Sequence, residues 1–505
     1  MRLFCCRFNF RELRRKFLSL PAPCCEVHKR YINDPRRKSR NEAQIVVVGA
    51  GLAGLSAASH LIKNGFTSTI VLEATERYGG RVKSEHFGDA YCELGAKYIT
   101  IDSARNSIYE LLSETHGLEK QTAKRDNIVY VNLLGQTINK RMPDLIDALF
   151  RKLCSGIELQ EKFETNSLHD LNNVETYFQA ESRKILENMF KGEEARIAGD
   201  IFITLFKEFG SLIGCCLDYL NIEHIRKVHN TNPNPLYIPQ GLDNILRPLT
   251  DIITEHNIKM GKPVGQIKWY DASTTSTAKA HLVGCLDGSS FNADHIICTL
   301  PLGVLKNFSK YMFKPMLPRH KVNAIRNIGY GSPVKIYLEY NKNIKSWFTA
   351  NLRPLWNEEE RGSGLNWYKQ IVEISKLPTS KHVLEVLIGG AFFGEIEKLP
   401  EDQITKEVTT ILRICLKNPK VPYPKSILRS NWSNSACFLG GRPYFSVNST
   451  INDVNILASP LGDRAALLFA GDATTLSGFG TVDGARQSGI REAERLIEFY
   501  NSTSA

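Results

Sequence analysis

The stretch QIVVVGAGLAGLSAASHLIKNGFTSTIVLEA, residues 44–74, predicts a strand, a glycine turn, a helix and a second strand in close succession. Ile45–Val48 is an unbroken β-branched run, which is typical of a strand buried on both faces of a parallel sheet. Gly49 permits the tight turn that follows, Gly51 lets the backbone approach a pyrophosphate, and Gly54 allows the helix to pack closely on the strand. The segment therefore predicts a dinucleotide-binding unit whose helix begins at the phosphates.

An acidic residue and an arginine follow this unit and narrow the choice of nucleotide. Glu73 stands at the end of the second strand, Ile70–Leu72, where a carboxylate accepts hydrogen bonds from ribose hydroxyls and repels the 2′-phosphate of NADP. The segment Arg77–Val82, RYGGRV, then places two glycines before Arg81, a bidentate donor suited to a pyrophosphate or to the edge of a flavin. These residues favour FAD over NAD.

The glutamate and the glycine-glycine-arginine motif resemble a signature shared by monoamine oxidases, polyamine oxidases, L-amino-acid oxidases and phytoene desaturases. A second resemblance to this flavin amine oxidase family lies in residues 467–500, LLFAGDATTLSGFGTVDGARQSGIREAERLIEFY. It implies that Asp472 contacts the ribityl chain, where the family usually has Glu. It also implies that a helix beginning near Thr481 and Val482 directs backbone N–H groups at the flavin ring.

Segments between these ends are similar to animal spermine oxidase and N-acetylpolyamine oxidase. In the similar segment at 91–100, Ala96 and Lys97 are expected to lie beneath the flavin, and Val264 is expected to meet the adenine through its backbone. Two further similar segments are residues 295–306 and 427–441. The chain is therefore identified as a member of the flavin monoamine oxidase family, on its polyamine oxidase and spermine oxidase-like branch.

This resemblance implies an α/β fold. A discontinuous, Rossmann-like FAD-binding domain of the glutathione reductase type is expected to combine with a second, α+β substrate-binding domain. The predicted parts are a basic N-terminal extension at 1–43, FAD-binding segments at 44–100, 236–305 and 462–500, and substrate-domain segments at 101–235 and 306–461.

Lys335 is the leading candidate for a catalytic residue. The segment Val334–Tyr340, VKIYLEY, alternates as a strand should, and Lys335 has apolar neighbours in it. The residue matches a family lysine that holds a water near the reactive nitrogen of the flavin, and burial there would lower its pKa and make it a usable base. From the residue alone, the alternative is an ordinary lysine that faces solvent from an edge strand, because lysines are rarely buried.

Three residues, Tyr98, Thr100 and Tyr444, are expected to contact the substrate. Tyr444 matches one of two aromatic residues that form a cage over the flavin, where an amine docks by cation–π attraction; core packing is the alternative. The other cage position holds Arg442, which also occupies the neighbourhood of the cysteine that binds FAD covalently in monoamine oxidases, so a non-covalent FAD is expected. Thr100 and Thr475 both stand where these families usually have histidine.

The positive charge of the chain is concentrated at its head. Residues 1–44 carry 12 Lys and Arg against four acidic residues, so +8 of the formal net charge of +11 lies there and only +3 in the rest. The near-neutral body implies no face for a nucleic-acid backbone. The Arg-rich, acid-poor head fits either a disordered extension or a mitochondrial transit peptide, so a cytoplasmic location is expected, with a mitochondrial one as the alternative.

Metal and membrane sites are not expected. The 12 cysteines include no C-x-x-C pair, which makes zinc or thioredoxin-like chemistry a weak interpretation. Residues 45–62 lack charged side chains and are just long enough for a membrane span, but their glycines fit the nucleotide turn better, so no transmembrane segment is expected. Nothing in the pattern indicates an oligomeric state.

Three functions remain open on the sequence. The first is FAD-dependent oxidation of spermine, N1-acetylspermine or a similar polyamine to an imine and aldehyde, with molecular oxygen as acceptor and release of hydrogen peroxide. The second is the same chemistry on another amine or an amino acid, because Thr100 and Arg442 alter the pocket. The third is a catalytically weak FAD-binding protein, since a fold does not fix a function.

Overall fold

The computed structural model of the protein describes residues 38–99, 107–115, 117–122, 127–160, 173–222, 225, 235–270, 281–356, 366–389, 393–462 and 465–502. In chain order the described strands are β1 (Ile45–Val48), β2 (Thr69–Leu72), β3 (Ser84–Phe87), β4 (Ala90–Glu93), β5 (Gln121–Thr122), β6 (Ile128–Val131), β7 (Leu236–Tyr237), β8 (Ile258–Lys259), β9 (Val264–Lys268), β10 (His281–Cys285), β11 (Ser290–Ala293), β12 (His295–Cys298), β13 (Phe313–Lys314), β14 (Gly329–Gly331), β15 (Lys335–Glu339), β16 (Asn351–Pro354), β17 (Ile371–Lys376), β18 (Val383–Ile388), β19 (Ser426–Arg429), β20 (Arg442–Tyr444) and β21 (Leu467–Phe469). The described α-helices are α1 (Leu52–Lys63), α2 (Ile108–Glu114), α3 (Arg141–Gln160), α4 (Val174–Met189), α5 (Gly192–Ile213), α6 (Arg247–Thr250), α7 (Leu302–Met312), α8 (Arg319–Asn327), α9 (Phe393–Ile396), α10 (Glu401–Cys415), α11 (Ile451–Ala458) and α12 (Val482–Ser502).

Five strands form a parallel sheet in the order β21-β12-β1-β2-β8. The central strand, β1, is buried along its whole length because both faces of the sheet are covered. Ile45 and Val47 pack into a core with residues of α1 and α12, whereas Val46 and Val48 face a second core that includes residues of α7 and β9. The burial of this strand on both faces of a parallel sheet, predicted from the β-branched run, and the Rossmann-like fold class are both confirmed.

The parallel sheet draws on three separate stretches of the chain. Strands β1 and β2, then β8 and β12, and finally β21 fall in the three segments predicted to bind FAD. A six-stranded sheet in the order β19-β15-β18-β17-β16-β6 takes its strands from the two segments assigned to the substrate domain, and α5 lies against its strands β17 and β18. The domain boundaries themselves stay a prediction.

Residues 45–62, which are just long enough for a membrane span, form β1, the glycine turn and most of α1. Within the stretches that the structure describes, no helix combines the length and the apolar character needed to cross a bilayer.

Candidate active site

The turn between β1 and α1 leaves its backbone open where phosphates are expected. Gly49 has a φ of +106°, a conformation that side chains rarely adopt. A Cβ at Gly54 would lie 2.0 Å from the carbonyl oxygen of Gly49, so the helix can pack on the turn only because Gly54 is glycine. A Cβ at Gly51 would meet nothing within 4 Å, and Gly51 caps α1 without a side-chain hydrogen bond. The first N–H groups of α1 therefore start beside open space suited to an anion.

Glu73 is held in a fixed orientation at the end of β2. One carboxylate oxygen accepts a hydrogen bond from the backbone N–H of Ala50 at 2.9 Å. The other accepts from the backbone N–H and the hydroxyl of Thr75, both at 2.9 Å. Sequence reasoning did not identify Thr75, whose hydroxyl fixes the carboxylate that is expected to meet the ribose.

An ion pair joins the two ends of the chain. Arg81 donates two hydrogen bonds to Asp472, at 2.8 and 2.7 Å, and a third to the carbonyl oxygen of Gly441 at 2.9 Å. The side chains of Arg81 and Asp472 are 23% and 11% exposed. Each residue is expected from the sequence to contact the cofactor, whereas their pairing is not. The pair holds the C-terminal flavin motif against the N-terminal one.

A cavity of about 1990 Å³ is lined by residues of both the parallel and the six-stranded sheet. It exceeds the roughly 300–1,000 Å³ of an ordinary small-molecule site, so it has room for a dinucleotide and a substrate together. The predicted site residues that line it are Gly49, Gly51, Glu73, Arg81, Ala96, Lys97, Tyr98, Val264, Lys335, Asp472, Thr481 and Val482. Gly54 supports the turn from behind, and Thr100 lies outside the described residues.

Lys335 opens β15 and faces the cavity rather than bulk solvent. Its Nζ donates to the carbonyl oxygens of Glu93 at 2.9 Å and Gly95 at 2.5 Å. Burial lowers the pKa of Lys335 to about 8; the charge of Glu385 opposes this shift, and the charge of Lys97 adds to it. A substantial fraction of the Lys335 side chain is therefore neutral slightly above physiological pH, as a general base requires.

Lys97 forms an ion pair with Glu385, a residue that sequence reasoning missed. The two side chains are 13% and 9% exposed, and the second oxygen of Glu385 accepts from the hydroxyl of Tyr337 at 3.2 Å. Burial disfavours the carboxylate, but the charges of Lys97 and Lys335 outweigh it and lower the pKa of Glu385. Glu385 could have been noticed in the sequence as the one acidic residue in the otherwise apolar strand Val383–Ile388, VLEVLI.

Tyr98 lines the cavity, whereas Tyr444 does not. Tyr444 lies in β20, and its ring packs over Gly329 of β14, where a Cβ would be 2.2 Å from the ring. Tyr444 is buried in a hydrophobic core in this structure, and its expected cage contact stays a prediction. Arg442 of the same strand lines the cavity instead and donates to the carbonyl oxygen of Leu212 at 2.8 Å. The buried Nε of Arg442 has no hydrogen-bond partner among the residues that the structure describes.

A charged group of two glutamates and an arginine also forms part of the cavity wall. Arg353, whose side chain is 2% exposed, donates to Glu208 at 2.9 Å and to Glu373 at 2.8 Å, and it also donates to the hydroxyl of Tyr130. The carboxylate side chains are 12% and 16% exposed. No local motif could reveal this group, because its members come from α5, β16 and β17.

Comparison with known proteins identifies the family of this chain. Residues 52–497 match the family described as flavin containing amine oxidoreductase. The chain belongs to this family. The match begins at the first residue of α1 and includes the six-stranded sheet, every strand of the parallel sheet except β1, and most of α12.

Two relatives and a solved structure show which members of the family this flavin amine oxidoreductase is similar to. It is 52% identical to the protein anon-37Cs of Drosophila lebanonensis, over 95% of this chain and 94% of that protein. It is 28% identical to the peroxisomal N(1)-acetyl-spermine/spermidine oxidase of Bos taurus, over 91% of this chain and 95% of that enzyme. A double mutant of putrescine oxidase with redesigned cofactor binding shares its fold, with a TM-score of 0.65 at 18% identity, covering 90% of this chain and 99% of that one. The expected membership of the amine oxidase family, with similarity to polyamine oxidases, is confirmed.

The cofactor of this FAD-dependent amine oxidase fits the residues present. The open turn at Gly51 and the N-terminus of α1 suit the pyrophosphate, and Glu73 suits the ribose. At the far side of the cavity, Thr481 and Val482 line the start of α12, whose positive end favours a flavin that gains negative charge on reduction. Val264 lines the same cavity from β9, as expected for the adenine contact.

Proposed function

We propose that the amine oxidised by this enzyme is a polyamine or an N-acetylated polyamine, such as spermine or N1-acetylspermine. The Bos taurus relative is named for N(1)-acetyl-spermine and spermidine and aligns along nearly the whole chain. That likeness supports the substrate class, and the charges on the cavity wall support it independently.

The spacing of charges along the six-stranded sheet carries the proposal. Lys335 of β15 pairs with Leu387 of β18, and Leu387 pairs with Glu373 of β17, so the three side chains form one row on one face of the sheet. Two strand spacings, about 10 Å, separate Lys335 from Glu373. An extended polyamine with its reacting nitrogen near Lys335 can reach that carboxylate, whereas a short monoamine cannot.

The charge at the far end of this row favours a cation. Glu373 shares Arg353 with Glu208, so two carboxylates face this one guanidinium on the cavity wall. A distal ammonium group of the substrate would be attracted there, and the attraction is strengthened because the carboxylates are only slightly exposed to water.

Within this proposal, Lys335 acts on a proton. The reacting amine must be neutral before the carbon beside its nitrogen loses a hydride, and the neutral Nζ of Lys335 can take up the proton that the amine gives up. FAD, when bound, supplies the hydride acceptor and the route of electrons to molecular oxygen, with hydrogen peroxide as product. The cavity walls hold the reactants away from bulk water.

Peroxide release by the purified enzyme tests the substrate class. Spermine, N1-acetylspermine, butylamine and a panel of amino acids would be compared, and the polyamines are expected to give the highest kcat/KM. Glu373→Gln should raise KM for the polyamine by about tenfold, the loss of one charge contact, and leave butylamine oxidation unchanged. Equal losses with both substrates would contradict the proposed contact. Glu181→Gln, at a residue that does not line the cavity, serves as the matched control.

Arg442 favours a second candidate, an amine that also carries a carboxylate, such as an amino acid. Its side chain lines the cavity, and its Nε is buried without a partner in the described part of the chain. A guanidinium pairs with a carboxylate and repels a cationic amine. If this candidate is correct, amino acids will be the best substrates in the same panel, and Arg442→Leu will abolish that preference.

We also propose that FAD is held without a covalent bond. Cys437 lines the cavity, but burial, helped by the charge of Glu73, raises the pKa of its thiol. The reactive thiolate is therefore disfavoured.

A further inference from the structure

Glu385 stands within reach of Lys335 on the cavity face of the six-stranded sheet. Lys335 pairs with Leu387 across β15 and β18, so Glu385, two residues along β18, is its diagonal neighbour on the same face. Diagonal neighbours have Cβ atoms about 7–8 Å apart, which long side chains can bridge. A direct salt bridge between Lys335 and Glu385 would hold the lysine protonated and useless as a base.

The structure shows a different arrangement. One oxygen of Glu385 accepts from Lys97, and the other lies 3.2 Å from the hydroxyl of Tyr337, whose single proton is shared with the nearer carbonyl oxygen of Glu93 at 2.9 Å. Lys335 instead donates to two backbone carbonyl oxygens, those of Glu93 and Gly95. A neutral primary amine has two N–H donors and one lone pair, so it satisfies both carbonyls and keeps its lone pair for a proton from the cavity.

We propose that Lys97 and Glu385 are positioning residues that act through Lys335: Lys97 holds the Glu385 carboxylate away from Lys335, so that the Lys335 amine stays available to accept a proton from the bound amine substrate. In that step the proton leaves the substrate nitrogen, which becomes neutral, and Lys335 becomes an ammonium. The inference rests on the amine oxidase activity and on the base role of Lys335, not on which amine is oxidised.

The other titratable groups that face Lys335 are Glu93, Cys92 and Tyr337. Burial raises the pKa of Glu93 to about 7, and the charge of Glu93 also raises the pKa of Lys335, though less than that of Glu385. The carboxylate of Glu93 is engaged by the backbone N–H of Leu242 at 2.7 Å and by the hydroxyl of Ser84 at 2.8 Å. Burial raises the pKa of the Cys92 thiol, which therefore stays neutral. Burial likewise raises the pKa of Tyr337. After burial, the charges of Glu385 and Lys97 thus have the largest effects on the pKa of Lys335, in opposite directions.

Two substitutions should move the protonation of Lys335 in opposite directions. Lys97→Met removes a like charge and frees Glu385 to pair with Lys335, which should raise the pKa of Lys335 by about one unit. Glu385→Gln removes the negative charge that favours protonated Lys335 and leaves Lys97 and Lys335 close together. The pKa of Lys335 should then fall by a similar amount. A merely structural role would weaken the fold in both variants without opposite shifts. Lys97→Arg keeps the charge and should restore the wild-type value.

Competitive labelling of the intact holoenzyme with trace acetic anhydride, followed by mass spectrometry of the Lys335 peptide, measures this pKa because only the neutral amine reacts. At a fixed neutral pH, labelling of Lys335 should fall about tenfold in Lys97→Met and rise in Glu385→Gln, where one pKa unit is a factor of ten. Lys376→Met is the matched control, since Lys376 also lines the cavity but packs over Phe348. The acid limb of kcat/KM should shift with the labelling, to higher pH in the first variant and to lower pH in the second.

Shifts in the same direction, or no shift in either variant, would overturn the inference. Lys97→Met could fail to fold because it leaves Glu385 buried and unpaired. In that case the double variant Lys97→Met/Glu385→Gln removes the unpaired charge. Labelling of Lys335 in the double variant must lie between the labelling in wild type and in Glu385→Gln. Labelling needs no substrate, so opposite shifts in an enzyme that ignores polyamines would uphold the inference while rejecting the proposed substrate.

Discussion

The ion pair between Arg81 and Asp472 gives the sharpest prediction about the fold. Asp472→Asn keeps the size of the side chain but removes its charge and weakens two hydrogen bonds of 2.8 and 2.7 Å. Removing one partner of a fully buried pair costs about 3–5 kcal/mol. Because the side chains of Arg81 and Asp472 remain 23% and 11% exposed, we expect a smaller loss of unfolding free energy, about 2–3 kcal/mol. The affinity for FAD should fall as well, since the pair holds the two flavin motifs together.

Urea unfolding, followed by the fluorescence of released FAD, measures this effect with and without excess FAD. Glu181→Gln breaks the exposed pair with Lys184, whose side chain is 67% exposed, and should cost less than about 0.5 kcal/mol. Asp472→Glu, which retains the charge, should fall between the two variants. If Asp472→Asn is no less stable than Glu181→Gln and binds FAD equally well, the two ends of the chain do not depend on this pair.

Three further predictions concern single side chains. Gly51→Ala should weaken FAD binding at least about tenfold with little loss of stability, because the added Cβ enters the open space expected to hold phosphate. Gly54→Ala should instead destabilise the protein by about 2 kcal/mol even without FAD. Equal behaviour of the two variants in FAD titration and urea unfolding would contradict the assigned roles. Lys335→Met should slow turnover about a hundredfold while the protein keeps its flavin absorbance, and unchanged kinetics would remove Lys335 from the mechanism. Lys321 is fully buried and donates to three carbonyl oxygens at the end of α11, at 2.7, 3.0 and 2.7 Å. Lys321→Met should therefore lower the free energy of unfolding in urea by about 3 kcal/mol. A loss below about 1 kcal/mol would show that those carbonyls find other donors.

The nucleotide-binding half of the site could be predicted because its residues lie close together in the sequence, at characteristic spacings. Gly49, Gly51 and Gly54 follow one strand directly, and Glu73 follows the next, so neighbours in sequence are neighbours in the site. Turn geometry and helix packing fix these positions within one βαβ unit. The same reasoning predicted correctly that β1 is buried on both faces.

The charge network of the cavity wall could not be predicted, because it depends on which strands pair and in which register. Glu385 meets Lys97 only once β18 lies beside β15 and the segment after β4. The packing of Tyr444 could not be predicted for the same reason. An aromatic residue near the flavin motif was compatible with a cage, but Gly329, far away in sequence, opens a space in the core that its ring fills.

Denaturing the purified enzyme with acid and analysing the flavin tests the central claim most directly, namely that segments from opposite ends of the chain form one non-covalent site for FAD. The account predicts a yellow protein whose FAD passes into the supernatant, with one FAD for each chain. A colourless protein that takes up no added FAD, or flavin that stays with the precipitated chain, would contradict it.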